Sequence, residues 1–223
     1  HGLENTGVHV DHHALAFDSA RGRVVLVGGS GSGGLLNDTW EWDGNEWHEV
    51  HPDTKPPARS EHALAYDAAR GKVVLFGGSA GPGLPVNDTW EWDGTDWQEV
   101  VPSTRPCLFR GHALAYDGAR KKVVFFGGQF TADAFPNETW EWDGNDWRRL
   151  RPATSPRGRR RFSMAYDSGR RRVVLFGGQE EDGSYLGDTW EFHVYGNVCL
   201  SDEDCNTGHC VDGVCCDSTC KFA

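Results

Sequence analysis

Four times along the chain a continuous apolar run closes on a pair of glycines, at residues 24–29, 73–78, 123–128 and 173–178, about fifty residues apart. A run apolar at every position predicts a strand buried on both faces, and the glycines mark a place where no side chain fits. Each run follows a short alternating segment, HALAFD, HALAYD, HALAYD or FSMAYD, with large residues on one face and small residues on the other. Small residues on one face let a neighbouring sheet come close. Between the two segments lies Asp-x-x-Arg-x-Arg/Lys (18–23, 67–72, 117–122 and 167–172), a polar turn. After the glycines and a loop of variable composition, Thr-Trp-Glu-Trp/Phe sets Trp40 and Trp42, Trp90 and Trp92, and Trp140 and Trp142 on shared faces of a third strand. An Asp-Gly turn (43–44, 93–94 and 143–144) leads into a fourth strand at Trp47, Trp97 and Trp147, a strong hairpin pattern.

The chain is therefore an array of four units: His13 to about Pro52, His62 to Pro102, His112 to Pro152, and Phe162 to about Val194. Four consecutive antiparallel strands per unit make the blade of a β-propeller, and the glycine-ended runs are expected as inner strands of neighbouring wedges. The Gly-Gly pairs, the aromatics Trp42, Trp92, Trp142 and Phe192, and the downstream Trp47, Trp97 and Trp147 together resemble the kelch repeat over about residues 12 to 194. The turn between the two aromatic landmarks is shorter than in the common kelch pattern, which implies a tight hairpin. The resemblance implies an all-β, kelch-type propeller of four repeats of four antiparallel strands, in a family that usually binds proteins and includes a minority of secreted enzymes.

Blade count sets a problem of closure. The fourth unit lacks the Asp-Gly-x-x-Trp hairpin and runs into HVYGNVC, and by repeat spacing His1 falls where Val50 and Val100 sit in their units. The chain is thus expected to start near the end of a preceding blade, and its opening at His1 without Met is read as removal or omission of upstream residues. An open arc of four blades exposes two apolar sheet faces, which water disfavours. Three outcomes remain: an unusually small ring, two arcs combined by self-association, or a companion segment of a longer chain.

Domain organisation follows from the cysteines. Residues 1–198 carry the blades, and residues 199–223 hold six of the seven Cys: Cys199, Cys205, Cys210, Cys215, Cys216 and Cys220. Such density in a short polar tail predicts disulfides and an oxidising compartment, secreted or at the cell surface. Zinc is the rival, but the spacing lacks the paired Cys-x2-Cys knuckles that zinc favours. Asp204, Cys205, Gly208, Cys210, Gly213, Cys215 and Cys216 resemble a cysteine-rich motif that follows secreted repeats in some predatory soil bacteria. A net charge of −11 argues against nucleic-acid or membrane-surface binding, and no apolar run has the length of a membrane helix.

In a four-stranded meander, the loop between strands two and three and the link to the next blade emerge at the same end. Here those segments differ completely between units, whereas the turns at the opposite end are nearly identical, so the variable end is the candidate binding face. Aromatic and arginine side chains are strong recognition anchors, which singles out Arg59, Phe109, Arg110, Phe130, Phe135, Arg159, Arg160 and Tyr185. Ten of the seventeen arginines fall within residues 148–172, a patch for an acidic partner or a solvated surface neutralised by Glu180, Glu181 and Asp182. His9, His12 and His13 beside Asp11 have metal-like spacing, but His13 aligns with the repeat positions His62 and His112. Copper oxidases of kelch type use Tyr, His and Cys ligands, and only Cys107, distant in sequence from Tyr and His, is on offer. No catalytic residue, metal or cofactor is therefore assigned. The reading is a scaffold that binds a protein or glycan, with an extracellular lyase, oxidase or hydrolase, or a structural repeat of a surface assembly, as alternatives.

Overall fold

In the computed structural model, which describes residues 10–81, 84–130, 134–152, 154–192, 210–211 and 214–215, the repeats fold as four blades of a β-propeller. The first blade comprises β1 (Ala14–Asp18), β2 (Arg23–Gly31), β3 (Gly34–Trp42) and β4 (Trp47–Val50). The second comprises β5 (Ala63–Asp67), β6 (Lys72–Phe76), β7 (Thr89–Trp92) and β8 (Trp97–Val100), and the third β9 (Ala113–Asp117), β10 (Lys122–Phe126), β11 (Thr139–Trp142) and β12 (Trp147–Leu150). In the fourth, β13 (Ser163–Asp167), β14 (Arg172–Phe176) and β15 (Thr189–Phe192) are described. Each sheet is an antiparallel meander in chain order, and none of its described residues is helical.

Register follows the period-two pattern of the sequence. Tyr66, Val73, Trp92 and Trp97 stand in one row across the second blade, and Tyr116, Val123, Trp142 and Trp147 in the same row of the third. Each blade consequently has a large-residue face and a small-residue face. Ala16, Val25 and Val27 of the first blade pack against Leu64, Tyr66, Leu75, Trp90, Trp92 and Trp97 of the second. Ala63, Ala65, Val74 and Phe76 on the other face of the second blade pack against Leu114, Phe125, Trp140, Trp142 and Trp147 of the third. Small against large, repeated at each junction, is how flat sheets become close-packed wedges.

The glycine-ended runs, expected as inner strands, are not the innermost strands of the wedges. The glycine-ended strands β2, β6, β10 and β14 are second in their sheets, and the alternating strands β1, β5, β9 and β13 pack successively on one another at the axis. Wedges converge most tightly at the axis, and the Ala-x-Ala strands carry the small side chains that fit there. Among the described residues the stack stays open at both ends: no packing of comparable extent joins β13 to β1.

In the tail β16 (Cys210–Val211) pairs with β17 (Val214–Cys215), which sets Cys210 opposite Cys215 along the backbone. Cys199, Cys205, Cys216 and Cys220 lie outside the described residues, as do the disulfides expected of them. Cys107 is an exposed free thiol.

Candidate functional site

The two ends of the blades are built by different chemistry. At one end the Asp-x-x-Arg turn closes each first hairpin, and the arginine bridges the turn aspartate to the glutamate of the third strand. Arg21 lies 2.6 Å from both Asp18 and Glu41, and Arg70 lies 2.7 Å from Asp67 and 2.6 Å from Glu91. Arg120 repeats this with Asp117 and Glu141, and Arg170 with Asp167 and Glu191. An identical arrangement in all four blades serves the fold and leaves nothing distinctive for a ligand to read.

At the other end, the link entering each blade pairs with the loop leaving its second strand. Ser60 bridges Ser79, Arg110 bridges Gln129, and Arg160 bridges Gln179, with Pro85 and Tyr185 joining the outer side. Just after these bridges His12, Glu61, Gly111 and Arg161 all take left-handed φ values of 54° to 64°. They form a backbone chain around the axis, in which Glu61, Gly111 and Arg161 donate their N–H groups to the carbonyls of His12, Glu61 and Gly111. That chain brings together side chains a hundred positions apart. Arg161 reaches Glu61 at 2.7 Å, and Arg110 stands 3.7 Å from the same carboxylate. Arg160 donates to Gln129 at 2.5 Å and to Gln179 at 3.1 Å, and lies 5.1 Å from the centre of the Phe135 ring. Two guanidinium groups thus meet one carboxylate, and a third, that of Arg160, is held by the two glutamines nearby. Burial, with Arg161 and Arg110 nearby, pushes the Arg160 guanidinium below its ordinary pKa against the pull of Glu61. Tyr185, 84% exposed, and the exposed Phe130 stand on the loops around this cluster.

Residues 11–196 match the family model described as the KLHDC2/KLHL20/DRC7 Kelch-repeats domain. The chain belongs to the kelch-repeat family. No curated protein matches it significantly.

Against this kelch scaffold the sequence-derived candidates divide into two groups. Arg110, Arg160, Phe130, Phe135 and Tyr185 lie at the variable end, and the first two reach the axial cluster. Arg59 and Arg159 are fully buried. Arg59 makes a fork on Asp88 (2.7 and 2.6 Å) and reaches the Gly77 carbonyl, and Arg159 does the same with Asp188 and Gly177. Burial alone would raise the Asp88 carboxyl, but the Arg59 fork holds it below its ordinary range, while Arg159 holds Asp188 down at about 2. Phe109 occupies the equivalent place in the third blade, buried against Phe125. Those three side chains are buried in contacts that hold the blades.

The sequence-derived candidates leave out Glu61, Gln129 and Gln179, and include Arg161 only within the arginine-rich stretch. A usable pattern did exist: Glu61 and Arg161 immediately precede His62 and Phe162, and Gln129 and Gln179 immediately follow the glycine pairs, so position within the repeat marks them as axial. The arginine-rich stretch is divided between the two ends and largely ion-paired. Arg148 pairs with Glu141, Arg149 with Glu138, Arg157 with Glu180, and Arg172 with Glu191. Among the described residues no three His, Cys, Asp or Glu side chains are grouped as a metal site, and His9 of the His-rich segment lies outside them.

Proposed function

We propose that this kelch protein is a binding scaffold that takes an acidic protein segment on the variable end of its blades, over the axial arginine cluster. The observation that carries the reading is the pairing of Arg110 and Arg161 with a single carboxylate, Glu61, next to Arg160 on Gln129 and Gln179, with Phe135 and Tyr185 beside them. The Arg160 guanidinium, held in place by Gln129 and Gln179, is a pre-aimed donor for a carboxylate, and an exposed aromatic adds apolar contact at low entropic cost. Steering by such a cluster weakens with salt.

Selection from a peptide library on the intact chain tests this. Bound segments are expected to be enriched in Asp and Glu, to lose affinity as salt rises, and to bind Arg160→Ala or Tyr185→Ala at least tenfold more weakly, while Arg149→Ala leaves them unchanged. Segments without acidic enrichment, or binding indifferent to Arg160, would refute the reading. We further propose an extracellular setting, on the strength of the tail cysteines. It predicts a non-reduced mass short of the reduced mass by one hydrogen for each paired cysteine.

A further inference from the structure

Blade packing in this chain follows one set of contacts, and the two open ends carry the matching halves of that set. At each junction the second glycine of one blade donates its N–H to a carbonyl of the next: Gly29 to Arg59 at 2.9 Å, Gly78 to Phe109 at 3.0 Å and Gly128 to Arg159 at 2.8 Å. Nearer the axis Glu61, Gly111 and Arg161 donate back to His12, Glu61 and Gly111. The rings of His62, His112 and Phe162 cap the first glycine of the preceding blade. Farther out the Trp97 and Trp147 indoles donate to Thr39 and Thr89 at 3.0 Å, and Trp92 and Trp142 donate to Glu41 and Glu91.

The first blade holds the large-residue half with nothing opposite it among the described residues. Its His12 N–H turns back onto the Asp11 side chain at 2.8 Å, His13 is exposed, and the Trp42 and Trp47 indoles meet no acceptor among the described residues. Leu15 is 49% exposed, where Leu64 in the second blade is 6% exposed, and Phe17 is exposed as well. The fourth blade holds the receiving half. Phe176, Gly177, Gly178 and Gln179 line an open cavity of about 290 Å³, and Phe176 is 56% exposed where Phe76 is wholly buried. Thr189 and Glu191 stand where Thr39 and Glu41 stand in the first blade.

We infer that two copies of this chain join head to tail, the first blade of each seating on the fourth blade of the other, so that eight blades close one ring. In the seam Gly178 donates to Val10 of the other copy, His12 of that copy donates to the Arg161 carbonyl, its His13 ring caps Gly177, and its Trp47 and Trp42 reach Thr189 and Glu191. Every one of these contacts copies a junction already present inside the chain, which is why a second copy is the occupant. One contact drops out: Phe17 lacks the hydroxyl with which Tyr116 accepts the Ala69 N–H. Blade number agrees, since propellers close with roughly four to eight blades and a third copy would exceed that range. The pairing is heterologous, and a closed ring satisfies both ends of both copies. The cavity is also lined by Arg161 and Tyr185 of the variable end, so the two surfaces meet there, but the seam rests on the repeated junction contacts and not on what the variable end binds.

Sedimentation of the intact chain across a concentration series provides the test. A species of twice 24.7 kDa is expected. Phe17→Asp and Phe176→Asp each change a side chain exposed in the single chain, so both variants keep their fold, checked by tryptophan fluorescence, and each alone is expected to be single-copy. An equimolar mixture of the two retains one intact seam and is expected to return a two-copy species. A single-copy mass up to roughly 100 μM, well above the micromolar range of ordinary interfaces, overturns the inference. Pairing abolished by Phe17→Asp but indifferent to Phe176→Asp means first blades meet face to face, and growth beyond two copies means the rotation does not close; either result also overturns it.

Discussion

Arg59 shows how much a single buried residue contributes to this scaffold. Its guanidinium is 1% exposed and makes hydrogen bonds to Pro57, Gly77 and Asp88, so its charge is balanced and its donors are used. Removing one partner of such a pair strands the other. Arg59→Ala is expected to lower the stability of the chain by about 3–5 kcal/mol, read from urea unfolding. The third blade shows an alternative solution, with Phe109 in the arginine position and Glu138 turned to Trp140 and Arg149. Transplanting it as Arg59→Phe with Asp88→Glu is therefore expected to recover most of that loss. His62 and His112 tie the stability of the chain to pH. Both imidazoles are buried at blade junctions, and burial pushes them down, His62 to about 3 and His112 to about 4. An unfolded chain takes up these protons near pH 6.5, whereas the folded chain resists until far lower pH. Stability is thus full above pH 6.5 and falls by several kcal/mol as the pH drops toward 4. His62→Phe with His112→Phe, which copies Phe162, is expected to flatten the urea midpoint over that range.

At the scale of the strand, the glycine pair is a requirement of the junction. Gly78 has φ of +98°, and a Cβ there would stand 2.7 Å from the Ser60 carbonyl oxygen and 2.8 Å from the His62 Cβ. Backbone cannot move aside without parting two blades, so Gly78→Ala is expected to cost more than the roughly 1–3 kcal/mol of left-handed strain alone. Gly33 is the control. Its φ is ordinary and a Cβ there meets nothing within 4 Å, so Gly33→Ala is expected to be neutral or to stabilise by up to about 1 kcal/mol. Thermal melting of the two variants separates these outcomes. The strands and glycines were legible because period-two alternation and apolar runs are local. Which strand lies innermost was less so: an all-apolar run marks burial on two faces, and both a central and an axial strand can have that. The fork of Arg59 on Asp88 spans 29 residues and the pair of Glu61 with Arg161 spans 100, so no local pattern announces either. Arg59 and Arg110 are both cations of a variable link, and only the register of the first strand sends one inward and the other to the axis.

For the whole molecule, an array in which each blade touches only its neighbours has a stability that depends on how many faces of a blade are covered. The second and third blades are covered on both sides; β6 and β10 are buried from their second residue onward. In the fourth blade β14 alternates buried and half-buried positions and ends at exposed Phe176, so its amides depend on one interface. Hydrogen exchange at dilute concentration is expected to release β14 and β15 well before β6 and β10, because opening a terminal blade exposes one junction rather than two. Concentration then changes the order if the ends pair. Seating a second copy on Phe176 and Gly178 gives β14 the same double cover as β6, and mass action adds protection at the ends without altering the middle. The amides of β14 are thus expected to slow toward those of β10 as the chain is concentrated, with Phe176→Asp holding them at the dilute rate. A gradient of protection that ignores concentration would mean that the apolar ends of this arc do not pair with one another.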